Sequence, residues 1–155
     1  MNKTAMNAIA LKKTILSFLI IVALVTNANA EPNYPKDLWK GLIAEAVSDD
    51  YEGMYAVACV VRNRLKTGMD DGLAGLHRKD LNRFIYKQGQ YYWQMARAIE
   101  IEVFYHNAPD VTDGALYFEN ISDFGKPRWA KNMIVTVKIG EHVFYKFYSK
   151  LARKK

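Results

Sequence analysis

The stretch Tyr51–Leu65, YEGMYAVACVVRNRL, decides the fold, because it is almost continuously apolar over a length that exceeds an ordinary strand. We predict a central buried helix here that closes near Gly68. Cys59 is the only cysteine of the chain, so no internal disulfide can form, and in this run we expect a small buried side chain rather than a nucleophile. The fold must therefore be stabilised by its hydrophobic core.

Helical spacing of apolar residues also appears on both sides of this stretch. The spacing predicts a helix over residues 38–48 with Asp37 as its N-cap, and a third helix over residues 91–105. The acidic turn Asp49-Asp50 separates the first helix from the central one. Residues 67–89 are rich in glycine, so we expect a long surface excursion with at most a short helical turn near 81–85, forming one wall of a cleft.

The pattern changes to alternation in the last third of the chain. Residues 115–119, 133–139 and 142–148 are predicted strands, and Gly140-Glu141 would join the last two as a hairpin. Helices followed by strands, without alternation of the two, predict an α+β fold in a single domain over residues 31–155. If Phe144 points into the core, Tyr145 points to the opposite face, which would offer aromatic rings to a ligand. The alternative, which is the default for Phe and Trp, is that the aromatic rings pack in the core.

Residues 1–30 have the organisation of a secretory signal peptide. Lysines precede an apolar run over residues 15–25, and a short polar segment ends at Ala30, after which we expect cleavage. The alternative is a membrane anchor that is kept, although the uncharged stretch is short for a bilayer span. We therefore predict an exported protein, located in the periplasm or outside the cell at its wall, without membrane association after cleavage.

The charge of the predicted mature domain gives little support to nucleic-acid binding. Loss of the three lysines in residues 1–30 lowers the formal net charge from +6 to +3. No basic helix with groove-reading side chains is apparent elsewhere, so no nucleic-acid partner is expected.

Glu45 is the first candidate for chemistry. On an ideal helix it falls beside the apolar stripe of residues 38–47, where partial burial raises the pKa of a carboxyl toward that of a useful proton donor. The alternative is a side chain that extends to water at the edge of the stripe. The three histidines, His77, His106 and His142, are scattered, and no metal or serine-nucleophile motif is present. We therefore predict neither a metal nor a cofactor.

Two separated motifs resemble those of the SleB-type cell wall hydrolases. Residues 44–46 and 52–64 are similar to the family's opening G-E-A-x-G-E and E-G-x-x-A-V-A-x-V-x-x-N-R, with Ser48 and Asp49 in place of the family's Gly and Glu. Residues 114–118, Trp129 and residues 139–144 are similar to its G-A-L-x-F segment, its tryptophan and its I-G-x-H-x-F segment.

This resemblance implies a fold, a reaction and a set of site residues. The fold would be a lysozyme-like helical domain with a small antiparallel sheet or hairpin toward the C-terminus. The substrate would be peptidoglycan glycan strands, cleaved at the β-1,4 bond between N-acetylmuramic acid and N-acetylglucosamine by a monomer without a cofactor. Glu45 falls on the family's catalytic glutamate, and the substrate-binding residues carried over are Asn63, Tyr117, Trp129 and His142.

The chemical route is left open by the local sequence. Family members are described as lytic transglycosylases with one essential glutamate, whereas most glycosidases use two carboxylates. Asp49 and Glu52 would lie one and two turns from Glu45 if the first helix continued. A non-catalytic peptidoglycan-binding or structural wall protein with the same shell is the alternative from another class.

Overall fold

The computed structural model describes residues 33–148, so the predicted signal peptide of residues 1–30 lies outside the described residues. Helices and strands follow one another in the order α1 Leu38–Ala46, α2 Asp50–Lys66, α3 Ala74–His77, α4 Asn82–Lys87, α5 Gln90–Glu100, β1 Tyr117–Asn120, α6 Ile121–Phe124, β2 Met133–Ile139 and β3 His142–Phe147. Turns of 3₁₀-helix occupy Val47–Asp49, Lys79–Leu81 and Arg128–Asn132, and a π-helical turn, Ile101–Tyr105, extends α5.

The central helix α2 is buried along most of its length, as the sequence predicts. Residues 53–62 are all buried, because α1 and α5 pack on one side of α2 and the sheet packs on the other. On the sheet side, Ala56 and Val60 of α2 contact Ala115 and Phe144. Cys59 is fully buried and burial raises the pKa of its thiol, which fits the packing role expected for it.

Asp37 occupies the predicted N-cap position of α1, but its side chain makes no capping hydrogen bond. Asp37 has a left-handed backbone with φ of 62°, and its side chain contacts Lys40 Nζ at 3.1 Å instead of a helix N–H. The Trp39 N–H donates to the carboxylate of Glu100, at the end of α5. A buried carboxylate from another helix therefore accepts a hydrogen bond from a free backbone N–H in the first turn of α1, where negative charge is favourable.

The excursion over residues 67–89 is more ordered than predicted, since it contains α3, a 3₁₀ turn and α4. Leu73 and Ile85 are fully buried. Gly75 lies against α1 so closely that a Cβ there would be 2.5 Å from the Cβ of Ala44. The glycine-rich segment thus lies at the surface, as predicted, but is more helical and packs on the core through Leu73, Gly75 and Ile85.

The three strands form an antiparallel sheet in the order β1-β3-β2, with Phe118 opposite Phe144. The α+β class is therefore confirmed. Tyr145 lies on the face opposite to Phe144, yet it is only 2% exposed, because Ala130 of the third 3₁₀ turn packs against it. The open aromatic face expected at Tyr145 is therefore wrong. Within residues 33–148, no helix is long and apolar enough to cross a membrane.

Candidate active site

Glu45 is held at the C-terminal end of α1 by the segment that the sequence placed in a surface excursion. Its Oε1 accepts a hydrogen bond of 3.0 Å from the N–H of Ala74, the first residue of α3. Burial raises the pKa of the Glu45 carboxyl, while the Ala74 N–H and the nearby charges of His142 and Arg64 oppose that rise. The result is a partly buried carboxyl in a fixed position with a raised pKa.

Asp49 and His142 form a buried pair beside the break between α1 and α2. The Nδ1 of His142 lies 2.6 Å from Asp49 Oδ2, and the two side chains are 3% and 4% exposed. The N–H of Glu141 also donates to both oxygens of Asp49, at 3.0 and 3.1 Å. The turn at Asp49-Asp50 therefore directs Asp49 toward the hairpin between β2 and β3.

Two glycines enclose the Asp49 side chain. A Cβ on Gly53 would lie 2.3 Å from the Asp49 Cβ, and a Cβ on Gly140 would lie 2.3 Å from the Asp49 Cγ. Contacts this short do not occur between real atoms, so any larger residue would displace the carboxylate. The glycines of the two sequence motifs thus converge on one aspartate.

Arg64 is a buried cation that the sequence analysis did not assign to the site. Its Nε donates to the carbonyl of Leu116 at 2.7 Å, and its Nη1 donates to the carbonyl of Asp71 at 2.6 Å. Gly72 permits this approach, because a Cβ there would lie 2.1 Å from Nη1. The available signal was the final arginine of the motif, a charged residue inside a buried helix.

The positive charge of Arg64 acts on the carboxyl of Glu45, and its guanidinium also lies beside two aromatic residues of the sheet. It lies 5.8 Å from the ring centre of Tyr117 and 5.7 Å from that of Phe118. Tyr117 in turn contacts Trp129, with 5.7 Å between ring centres, and Trp129 is 43% exposed. The structure thus places His142 and Tyr117 in the surroundings of Glu45 and Arg64, with Trp129 at their edge.

Asn63 lies in a different environment. Its Nδ2 donates to Asp110 Oδ2 at 2.9 Å and to the carbonyl of Ala115 at 3.2 Å. Asp110 also accepts hydrogen bonds from the N–H groups of Thr112 and Gly114, both at 2.8 Å. The contacts of the Asn63 side chain thus fix the loop before β1, and within residues 33–148 none of its hydrogen bonds is with Glu45.

The carboxylates considered as partners of Glu45 have other neighbours. Asp49 is bound to His142, whereas Glu52 is exposed and lines a separate cavity. Asp71, beside Arg64, accepts a hydrogen bond of 2.9 Å from the N–H of Leu73. Within residues 33–148, no group of His, Cys, Asp and Glu side chains is arranged to hold a metal ion.

The comparisons with known proteins agree with the class that the site and fold indicate. A sequence profile described as Cell Wall Hydrolase matches residues 48–145, well over half of the chain. The chain therefore belongs to the cell wall hydrolase family, the SleB-type family that it resembles by its motifs, and is a hydrolase of the peptidoglycan-acting class. The matched range includes Asp49, Arg64 and His142, and it begins three residues after Glu45. No curated protein and no solved structure gives a significant match.

Proposed function

We propose that the protein is a glycosidase that cleaves the β-1,4 bond between N-acetylmuramic acid and N-acetylglucosamine, with Glu45 as the general acid. The observation that carries this proposal is the environment of Glu45. Its carboxyl is partly buried, its pKa is raised by that burial, and the Ala74 N–H holds one oxygen at 3.0 Å. A protonated carboxyl in a fixed position can protonate the glycosidic oxygen as the bond to C1 breaks.

The positive groups around Glu45 suit the second half of the reaction. Once its proton has left, Glu45 is a carboxylate, which the charges of Arg64 and His142 stabilise. This carboxylate can then accept the proton of the hydroxyl that attacks C1, which returns Glu45 to its acid form. One residue can thus serve as acid and then as base.

We further propose that the attacking group is the C6 hydroxyl of the muramyl residue, as in a lytic transglycosylase. Two-carboxylate glycosidases require a second carboxylate that is free to act as nucleophile or to activate water. Asp49 is engaged by His142 at 2.6 Å and is 4% exposed, which leaves it unsuited to that task. An internal hydroxyl needs no such group, so the occupation of Asp49 supports the one-carboxylate route.

Four residues are proposed to support substrate binding. The exposed ring of Trp129 and the neighbouring Tyr117 offer apolar faces on which a sugar ring can stack. His142 would act beside Glu45, while Asn63 would act at a distance by fixing the loop before β1. The proposed enzyme is an exported monomer that acts in the periplasm or at the cell wall.

The test is digestion of purified sacculi with the wild-type protein and with Glu45→Gln, followed by mass spectrometry of the fragments. Glu119→Gln on β1 is the matched control, because the Glu119 side chain makes no hydrogen bond or salt bridge within residues 33–148, although its backbone lies in the β1–β3 ladder. We expect 1,6-anhydro ends from the wild type and the control, and none from Glu45→Gln. Reducing ends would replace the transglycosylase assignment by hydrolysis. Absence of fragments from the wild type would refute the enzyme and favour a non-catalytic wall-binding protein.

A further inference from the structure

A concave site that is not lined by Glu45 lies between the start of α2, the π-helical turn and the loop over residues 108–111. It is a cavity of about 380 Å³, which is in the size range of small-ligand sites. Tyr51, Tyr55, Val111, Glu52 and Glu102 contribute to its wall. Of these residues, only Glu52 was considered from the sequence, as a second carboxylate near Glu45.

Two tyrosine rings form the apolar part of the wall. Their ring centres are 5.7 Å apart and their planes are inclined by 33°. The hydroxyl of Tyr51 donates to Glu102 Oε2 at 2.5 Å, and that of Tyr55 donates to the carbonyl of Pro109 at 3.0 Å. Because both hydroxyls are engaged, the rings are fixed. The Tyr51 side chain is nevertheless 40% exposed, so its ring can be reached from solvent.

The charged side chains that line the cavity among the described residues are both acidic. Glu52 and Glu102 are its only ionisable carboxylates, and no lysine or arginine lines it. Neither glutamate takes part in a salt bridge among those found in residues 33–148. Burial and the bond to Glu102 raise the pKa of Tyr51 to about 12, so its hydroxyl stays neutral and remains a hydrogen-bond donor to Glu102.

The combination of aromatic faces and uncompensated carboxylates selects for an organic cation. Aromatic rings attract ammonium groups through their negative faces, and apolar walls favour an aliphatic chain over a hydrated inorganic ion. The free oxygen of Glu102 and the carboxylate of Glu52 can accept hydrogen bonds from the three donors of a primary ammonium group.

We propose that this cavity binds a primary alkylammonium group, supplied by the diamino acid side chain of the peptidoglycan peptide stem. The identification of the stem as the source rests on the proposed function, whereas the affinity for an alkylammonium group rests on the cavity alone. Glu52 and Ile139 of its wall adjoin Gly53 and Gly140, which enclose Asp49. A stem bound here is thus held close to the Asp49–His142 pair.

The test is calorimetric titration of the full protein with a disaccharide-peptide that carries the free stem amine, and with the same compound after acetylation of that amine. Acetylation removes the charge and changes little else. We expect the dissociation constant of the acetylated compound to be at least about fivefold larger, which is the size of effect that a partly exposed cation site produces. Equal affinities in the wild-type protein would overturn the proposal without any variant being needed.

Pentylamine separates the two sources of the ammonium group, with pentanol as the uncharged control. We expect pentylamine to bind, pentanol not to bind, and pentylamine to compete with the free-amine disaccharide-peptide. Binding of pentylamine without preference for the free stem amine would overturn the stem as the source.

The double variant Glu52→Gln/Glu102→Gln should lose the preference for the free amine, while Glu119→Gln should keep it. Thermal unfolding of each variant checks that it is folded. A preference that survives in the folded double variant contradicts the site. The same titrations can be made with Glu45→Gln, because binding needs no catalysis. A protein that releases no wall fragments can still bind the amine, and an active enzyme can fail to bind it. Failure of the amine site is thus distinguishable from failure of the proposed function.

Discussion

The Nδ1 of His142 contacts Oδ2 of Asp49 at 2.6 Å, which joins the turn after the acid-bearing helix to the last strand across 93 positions of sequence. Both side chains are almost inaccessible to solvent. A buried charged group is costly unless it is paired, so each residue depends on the other for its presence in the interior.

This dependence predicts strong coupling between Asp49 and His142. Asp49→Asn and His142→Gln should each lower the free energy of unfolding by about 1 to 3 kcal/mol, because each leaves a buried polar partner unsatisfied. In the double variant the losses should be less than additive by about 1 kcal/mol or more. Denaturant unfolding of the four proteins measures this, and additive losses would contradict a direct pair.

Gly140→Ala should lower the free energy of unfolding by more than its backbone strain alone would. Gly140 has φ of 56° and its Cβ would enter the Asp49 carboxylate, whereas Gly68 has φ of 77° with nothing within 4 Å. Both alanine variants carry the cost of a left-handed backbone, but only Gly140→Ala displaces Asp49. We expect Gly140→Ala to be less stable than Gly68→Ala by about 2 kcal/mol in chemical unfolding. Equal losses would show that the carboxylate is not confined there.

Glu45→Gln should abolish wall cleavage and yet stabilise the fold at neutral pH. Burial raises the pKa of Glu45 in the folded state, so ionisation costs stability above that pKa, and glutamine cannot ionise. We expect the melting temperature to rise by about 2 to 5 °C at pH 7. The gain should disappear below the ordinary pKa of glutamate, where the wild-type carboxyl is protonated in both states. A variant that is destabilised at pH 7 would contradict this environment.

Glu100 should make the stability of the domain depend on pH between about 4.5 and 7. Burial raises its pKa from 4.5 to about 7 in the folded state. The folded state then binds more protons than the unfolded state in that window, so its stability is greatest below 4.5 and falls as pH rises to 7. Glu100→Gln should flatten this slope, which amounts to about 2 to 3 kcal/mol in total. Thermal unfolding across the window measures it, and an unchanged slope would exclude Glu100 as its source.

The charge of Arg64 should tune the pH dependence of wall cleavage. Its positive charge lowers the pKa of Glu45, so Arg64→Gln should move the loss of activity at high pH further upward. Arg64→Lys keeps the charge and is the matched control, although it loses one of the two carbonyl contacts. Initial rates on sacculi between pH 5 and 9 give the profile. A profile unmoved in the folded Arg64→Gln protein would contradict an electrostatic role.

Local pattern was sufficient for most of the fold, since helical and alternating spacing identified α1, α2, α5 and the three strands. It was insufficient where a distant residue decides the outcome. Asp37 stands at the N-cap position without a side-chain cap bond, and Glu100, which is 61 residues after Trp39, accepts from the Trp39 N–H instead. Tyr145 has the alternation of an open position, but Ala130 from outside the strands covers it.

The same limit applies to the candidate site. Glu45 was singled out because a motif of adjacent residues marks it. Arg64 and the contact between Asp49 and His142 could not be derived, since they depend on close approaches at Gly72 and Gly140 that appear only in three dimensions. The roles of Asn63, Tyr117 and Trp129 in substrate binding remain predictions.

The position of the hairpin that contains His142 also decides when, during synthesis, the surroundings of Glu45 can be completed. Because β2 and β3 follow α1 to α5 in the chain, a nascent chain has α1 and Glu45 long before it has His142, the partner of Asp49. Contacts between such distant positions form late, after the local helices. A chain that ends before β3 would thus contain Glu45 without the contact between Asp49 and His142 beside it.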